Sequence, residues 1–141
     1  MTKPFLLFDA SSILTLVREL RRDAADKLAD EATISLAYYE VGNALWRECF
    51  LLKRISRREA EVFLNDIYEI MGQMTVASLQ GENEENAVLD IACKFNLSFY
   101  DSAYLAQAND SNYTLVTDDK KLANMAQKAD VKTKTSKELM R

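Results

Sequence analysis

Four acidic residues occupy contexts that scattered surface acids do not share: Asp9, Glu40, Asp101 and Asp119. Asp9 directly ends the apolar run Phe5-Leu6-Leu7-Phe8. A carboxylate flush against a core strand loses hydration unless something pairs with it, and no Arg or Lys stands beside it in the chain. Glu40 precedes Asn43 by one helical turn, so the two share a helix face. Asp101 follows the aromatic pair Phe99-Tyr100, and Asp119, with Asp118 beside it, stands where the apolar stretch Tyr113–Val116 gives way to Lys120-Lys121. Three or four converging carboxylates repel one another and raise their own pKa values. A divalent cation relieves that conflict, and an oxygen-only donor set suits Mg²⁺ or Mn²⁺. Each acid alone has an ordinary alternative as a helix cap or dipole partner, worth roughly 0.3–2 kcal/mol. Only the joint pattern points to a site.

The rest of the composition narrows the chemistry. None of the 141 residues is histidine, which removes Ser–His–Asp and Cys–His catalysis, His-ligated zinc and imidazole acid–base chemistry together. Three glycines are too few for a Walker loop or a dinucleotide fingerprint. Cys49 and Cys93 fall in apolar-periodic stretches and read as small core hydrophobes. A net charge of −4 argues against a protein that coats nucleic acid non-specifically, though not against a nuclease gripping its substrate through cations and a local basic patch. The length fits one domain spanning 1–141. No apolar run reaches the roughly 20 residues of a membrane span. The thiol content and lack of a leader-like segment favour the cytoplasm.

The elements that must position these acids alternate. Strands are predicted at Phe5–Phe8, Ala32–Leu36, Thr75–Leu79, Tyr113–Val116 and, as an edge, Val131–Thr133. Helices are predicted over Ile13–Leu20 with Ser11 or Ser12 as cap, over 38–52, after the capping box Ser56-Arg57-Arg58-Glu59, around Val88–Phe95, over 101–109 and over Leu122–Ala126. The alternation indicates an α/β domain with a mostly parallel sheet, whose strand C-termini share one edge and open a crevice there. Asp9 and Asp119 belong on that edge, with Glu40 and Asp101 joining from helix starts.

Four stretches, Phe5-Leu6-Leu7-Phe8-Asp9-Ala10-Ser11, Glu40-Val41-Gly42-Asn43-Ala44-Leu45, Tyr100-Asp101-Ser102-Ala103-Tyr104-Leu105-Ala106 and Leu115-Val116-Thr117-Asp118-Asp119-Lys120-Lys121-Leu122, give the chain a recognisable order. It resembles the PIN-domain ribonucleases, most closely the small toxins of VapC type. That resemblance implies a three-layer α/β/α fold, a homodimer, and a cognate antitoxin that occupies the active site. It implies metal binding by Asp9, Glu40, Asp101 and Asp119, with Ser11 lining the site and Asn43 accompanying Glu40. The family spacing Thr-x-Asp-x-x-Leu selects Asp119 over Asp118, which is left to cap the following helix. Lys120 and Lys121 are placed to meet a backbone phosphate, whereas the clusters Arg18/Arg21/Arg22 and Lys53/Arg54/Arg57/Arg58 read as solvated faces.

The expected activity is Mg²⁺- or Mn²⁺-dependent hydrolysis of an RNA phosphodiester, with Glu40 or Asp119 orienting the attacking water. The rivals are a structure-selective DNA nuclease, whose clamping insertions have no room here, and a catalytically silent PIN-like interaction module. A haloacid-dehalogenase phosphatase would carry a second Asp where Ser11 stands. The homodimer is expected through Phe63, Met71 and Met74, unless these residues simply complete the core.

Overall fold

The computed structural model describes residues 5–141. Five short strands, β1 (Leu6–Phe8), β2 (Ala32–Ile34), β3 (Thr75–Ala77), β4 (Thr114–Val116) and β5 (Thr133–Lys134), form one sheet in the order β3-β2-β1-β4-β5. Every pairing is parallel. The central strand β1 registers Leu6, Leu7 and Phe8 against Thr114, Leu115 and Val116 of β4.

Successive strand residues point to opposite faces, so each strand serves two cores. Phe8 and Val116 pack against α1 (Ala10–Leu20), α3 (Leu36–Trp46) and α4 (Arg57–Met71) through Ile13, Leu16, Val41, Leu45 and Ile67. The short α2 (Ala24–Leu28) joins them with Ala24 and Leu28. Leu7 and Leu115 pack the opposite way, against α6 (Phe99–Ser111) and α7 (Lys120–Lys128) through Tyr104, Leu105, Ala108, Leu122 and Ala126. Ile91 and Phe95 bring α5 (Glu82–Phe95) onto this second layer. A last turn, α8 (Ser136–Leu139), closes the chain against α1. This is the expected α/β/α sandwich, with a wholly parallel sheet.

Several local expectations shift. The cap of α1 is neither Ser11 nor Ser12 but Asp9, whose carboxylate accepts from the Ser12 amide. The helix expected over 38–52 starts at Leu36 and passes into a π-helical stretch, Arg47–Leu51. This stretch leaves Trp46 and Phe50 exposed with their rings stacked 6.0 Å apart. The Ser56–Glu59 capping box is formed, both bonds at 3.0 Å. The edge strand starts two residues later than expected and ends one later, and α2 and α8 carry too little periodicity to be read. Cys93 is exposed and Cys49 only partly buried, so the core reading of the cysteines fails for Cys93. Phe63, Met71 and Met74 are buried in the first core. They complete the fold and do not offer the dimer surface assigned to them.

Candidate active site

The site is assembled at the C-terminal edge of the sheet by ordinary local rules. Asp9 is the first residue past β1, and its backbone N–H still donates to the Val116 carbonyl of β4 at 3.1 Å. Its carboxylate is 5 % exposed and accepts from the Ser11 hydroxyl at 2.7 Å, from the Ser12 amide at 2.9 Å and from the Thr117 hydroxyl. Burial raises the Asp9 pKa above the usual carboxylate value, against these lowering hydrogen bonds. Ser12 in turn donates its hydroxyl to the Asp9 and Val116 carbonyls. The cage ties the turns after β1 and β4 into one unit.

Glu40 lies in the second turn of α3 rather than at its start. It is half-buried and accepts from the Tyr104 hydroxyl of α6 at 2.7 Å. Its pKa is raised by burial first, and further by the charges of Asp101 and Asp9. The Tyr104 ring is buried, and desolvation together with Glu40 pushes its hydroxyl above the titration range of an ordinary tyrosine. Tyr104 is thus a permanent donor that holds Glu40 from across the seam between α3 and α6. Asp101 sits in the first turn of α6, behind the Ser98 cap, whose hydroxyl accepts from the Asp101 amide at 3.1 Å. Its pKa is raised by burial first, then by Asp119 and Asp9, and lowered a little by Lys121.

Asp119, not Asp118, is the N-cap of α7, accepting from the Leu122 amide at 3.1 Å. The expectation that Asp118 caps this helix is therefore wrong. Asp118 turns to the other side, where its carboxylate accepts from the Ser136 amide at 2.9 Å and the Ser136 hydroxyl at 2.7 Å. The residue behind that choice is Ser136 of the short α8, whose capping box Thr135-Ser136-Lys137-Glu138 was the signal that sequence reasoning passed over. The mutual electrostatic influence joins Asp9, Glu40, Asp101 and Asp119 into one cluster.

Among the other expected residues, Ser11 both donates to Asp9 and accepts from the Asp118 amide at 3.3 Å. Asn43 lies exposed one turn beyond Glu40. Lys120 opens α7 and is exposed, whereas the lysine felt by Asp101 is Lys121. Arg18 pairs with Glu48 and Arg57 with Glu61, in keeping with solvated faces. Sequence reasoning missed Tyr104 and Thr117. Both stand in the four recognised stretches, but nothing in their spacing announces a hydroxyl aimed at a carboxylate.

Three acids lie at helix N-termini, Asp9 at α1, Asp101 at α6 and Asp119 at α7. The positive ends of these helix dipoles favour negative charge there. They offset only part of the mutual repulsion, and neither side-chain ion pair among the described residues involves the cluster. An all-oxygen donor set with excess negative charge fits a hard divalent cation. Among the described residues no three His, Cys, Asp or Glu side chains already close on a single point. The carboxylates are directed instead onto Ser11, Thr117, Tyr104 and the Leu122 amide.

Comparison with known proteins agrees with this architecture. The PIN domain family model matches residues 6–128, and the chain belongs to the PIN-domain family. It is 34% identical over 125 residues to Ribonuclease VapC3 of Pyrobaculum aerophilum, covering 84% of this chain and 92% of that protein. Exonuclease VapC9 of the same organism is 31% identical over 118 residues, covering 82% and 81% respectively. The crystal structure of PAE2754 from Pyrobaculum aerophilum superposes with a TM-score of 0.76 at 26% identity, covering 97% of this chain and 93% of that one. FitAB bound to an IR36 DNA fragment shares the fold at a TM-score of 0.61 and 17% identity, over 93% and 94% of the two chains.

Proposed function

We propose that the chain is a nuclease toxin of a toxin–antitoxin pair, and more specifically a Mg²⁺- or Mn²⁺-dependent endoribonuclease acting as a single domain. The observation that carries this reading is the convergence of Asp9, Glu40, Asp101 and Asp119 at one sheet edge with no basic partner bonded to any of them. The names of the VapC relatives support nucleolytic hydrolysis, and the ribonuclease among them supports RNA. The assigned ligands are Asp9, Glu40, Asp101 and Asp119; a bound cation would lower the pKa of a water and polarise the phosphoryl oxygens. The chain's own parts divide the remaining work. Asp9, fixed by Ser11, Ser12 and Thr117, is a rigid anchor. Glu40, steered by Tyr104, is the carboxylate best held to orient the attacking water and take its proton. Lys121, with Lys120 beside it, faces the phosphate.

The partners follow from exposed apolar surface. Trp46, Phe50 and Leu51 of the α3–π arm and Tyr68 of α4 are all exposed, and this arm is our assignment for the antitoxin contact. A homodimer is kept as part of the reading, with its face reassigned away from Phe63, Met71 and Met74. Among the described residues no helix is long and apolar enough to cross a membrane. The test is incubation with a circular single-stranded RNA and Mn²⁺, with and without chelator. Cation-dependent linearisation is the expected result. Cleavage of linear but not circular RNA would make the protein an exonuclease, the activity named for one relative. No cleavage of either, with no Mn²⁺ heat of binding, would leave a silent interaction module.

A further inference from the structure

We propose that the groove beside the acids is a nucleobase pocket, in which an unpaired RNA base next to the hydrolysed phosphodiester stacks on Tyr39 and Tyr100. The inference rests on the ribonuclease reading and adds to it a site for the base beside the hydrolysed bond.

Helices α3 and α6 are clipped together in their second turns by the Tyr104–Glu40 bond of 2.7 Å. Glu40 and Asp101 belong to the cluster on one side of this seam. On the other lies an open cavity of about 290 Å³ whose walls include Leu36 and Tyr39 from α3, Leu79, and Phe99, Tyr100 and Ala103 from α6. Tyr39 immediately precedes Glu40 and Tyr100 immediately precedes Asp101. The α3 and α6 walls of the groove are therefore each next in sequence to an acid of the site, and a nucleotide whose phosphate sits at the acids is assigned its base in the groove.

The chemistry of the walls selects the occupant. Tyr39 is 77% exposed and Tyr100 61%, so two aromatic rings stand in water although neither completes the core. No charged side chain lines the cavity, while Ser35, Ser78 and Gln107 bring polar groups to it. Apolar walls with aromatic faces and a few donors and acceptors suit a flat, neutral heteroaromatic group. A nucleotide divides in the same way: its phosphate belongs with the cations and lysines, and its base with the rings. Base–aromatic stacking is tolerant of sequence because every base has a π-face. Bases inside a duplex are already stacked, so such a groove admits loops and single strands.

The test uses the full chain and a fluorescent single-stranded oligoribonucleotide in Ca²⁺, read by anisotropy, together with sedimentation. Because Tyr39 and Tyr100 are exposed, Tyr39→Ala and Tyr100→Ala leave the core intact. Each is expected to weaken binding about tenfold, with Tyr39→Phe and Tyr100→Phe restoring it. An abasic nucleotide placed at one position should cause the same loss in the wild type and no further loss in Tyr39→Ala. A 5-iodouridine at that position should crosslink to Tyr39 or Tyr100. Unchanged affinity in both alanine variants would overturn the proposal. So would a wild-type dimer that dissociates in Tyr39→Ala while the abasic scan stays flat, since the groove would then hold a second copy of the chain. Stacking without any cleavage in Mn²⁺ would uphold the pocket and defeat the ribonuclease reading. Cleavage indifferent to abasic positions would do the reverse.

Discussion

The acidic site has a floor and a rim, and they are built on different principles. The floor is Asp9, enclosed by Ser11, Ser12 and Thr117, with hydroxyl and amide donors on its carboxylate. The rim is Asp101, half-buried, facing Asp119 and Asp9, relieved first by the Ser98 hydroxyl and less by Lys121. Hydrogen bonds to charged groups contribute about 1.5–3 kcal/mol each, so the floor's donors offset part, though not all, of the burial that raises the Asp9 pKa. The rim has fewer such donors and adds the repulsion of neighbouring acids to its burial. Rigidity and affinity are thus separated: one carboxylate fixes the geometry while its neighbours supply unsatisfied charge.

The largest effect expected from breaking either half is on turnover. Asp9→Asn and Asp101→Asn should each reduce Mn²⁺-supported RNA cleavage to background. Near wild-type rates in either would remove that residue from the site. Next comes metal linkage. Saturating Mn²⁺ at about 100 times its dissociation constant should raise wild-type stability by about 2.7 kcal/mol, visible as a higher melting temperature. Asp119→Asn should lose most of that increment and Asp118→Asn should keep it. The reverse result would mean that Asp118, not Asp119, faces the cation.

A smaller effect tests the link between the two helices. Tyr104→Phe should lower kcat about tenfold and leave KM nearly unchanged, because Glu40 would lose its orientation but not its charge; a normal kcat would show that the bond is structural only. The smallest effect separates floor from rim most sharply. In chelator, Asp101→Asn should melt a degree or two above wild type, because it removes repulsion and few bonds. Asp9→Asn should show no gain, or lose about 1 kcal/mol, because the Thr117 hydroxyl then lacks its acceptor. Equal gains in both would mean that the cage around Asp9 contributes little.

The sequence revealed the rim and floor acids but not the difference between them. Asp9, Asp101 and Asp119 stood out because a carboxylate at the end of an apolar strand or at a helix start is visible in the order of residue types, whereas Glu40 was expected at a helix start and lies in the second turn of α3. The sheet was legible for the same reason, since runs such as Leu6–Phe8 and Leu115–Val116 can only be buried. The hydroxyl partners were not legible. Whether Thr117 or Tyr104 meets an acid depends on the angle at which one turn or helix passes another, and no period in the chain encodes it. The Asp118 error has the same origin: its partner Ser136 is distant in sequence and sits in a four-residue helix. Phe63, Met71 and Met74 misled in the opposite sense, since apolar residues on a long helix look alike whether they face a core or a partner.

The place of β1 at the centre of the sheet has a temporal consequence. Its neighbour β4 arrives late, and the Thr117 hydroxyl that completes the Asp9 cage lies 108 residues further along the chain. On a ribosome, Asp9 and Glu40 emerge early, yet neither the second wall of the cage nor Asp101 and Asp119 exists until most of the polypeptide has been made. Long-range parallel pairing of this kind also closes slowly. A chain that ends before Thr117 therefore lacks the second wall of the Asp9 cage and the fourth acid. Proximity of the four carboxylates is thus a property of the late stages of folding, after β4 has joined the sheet.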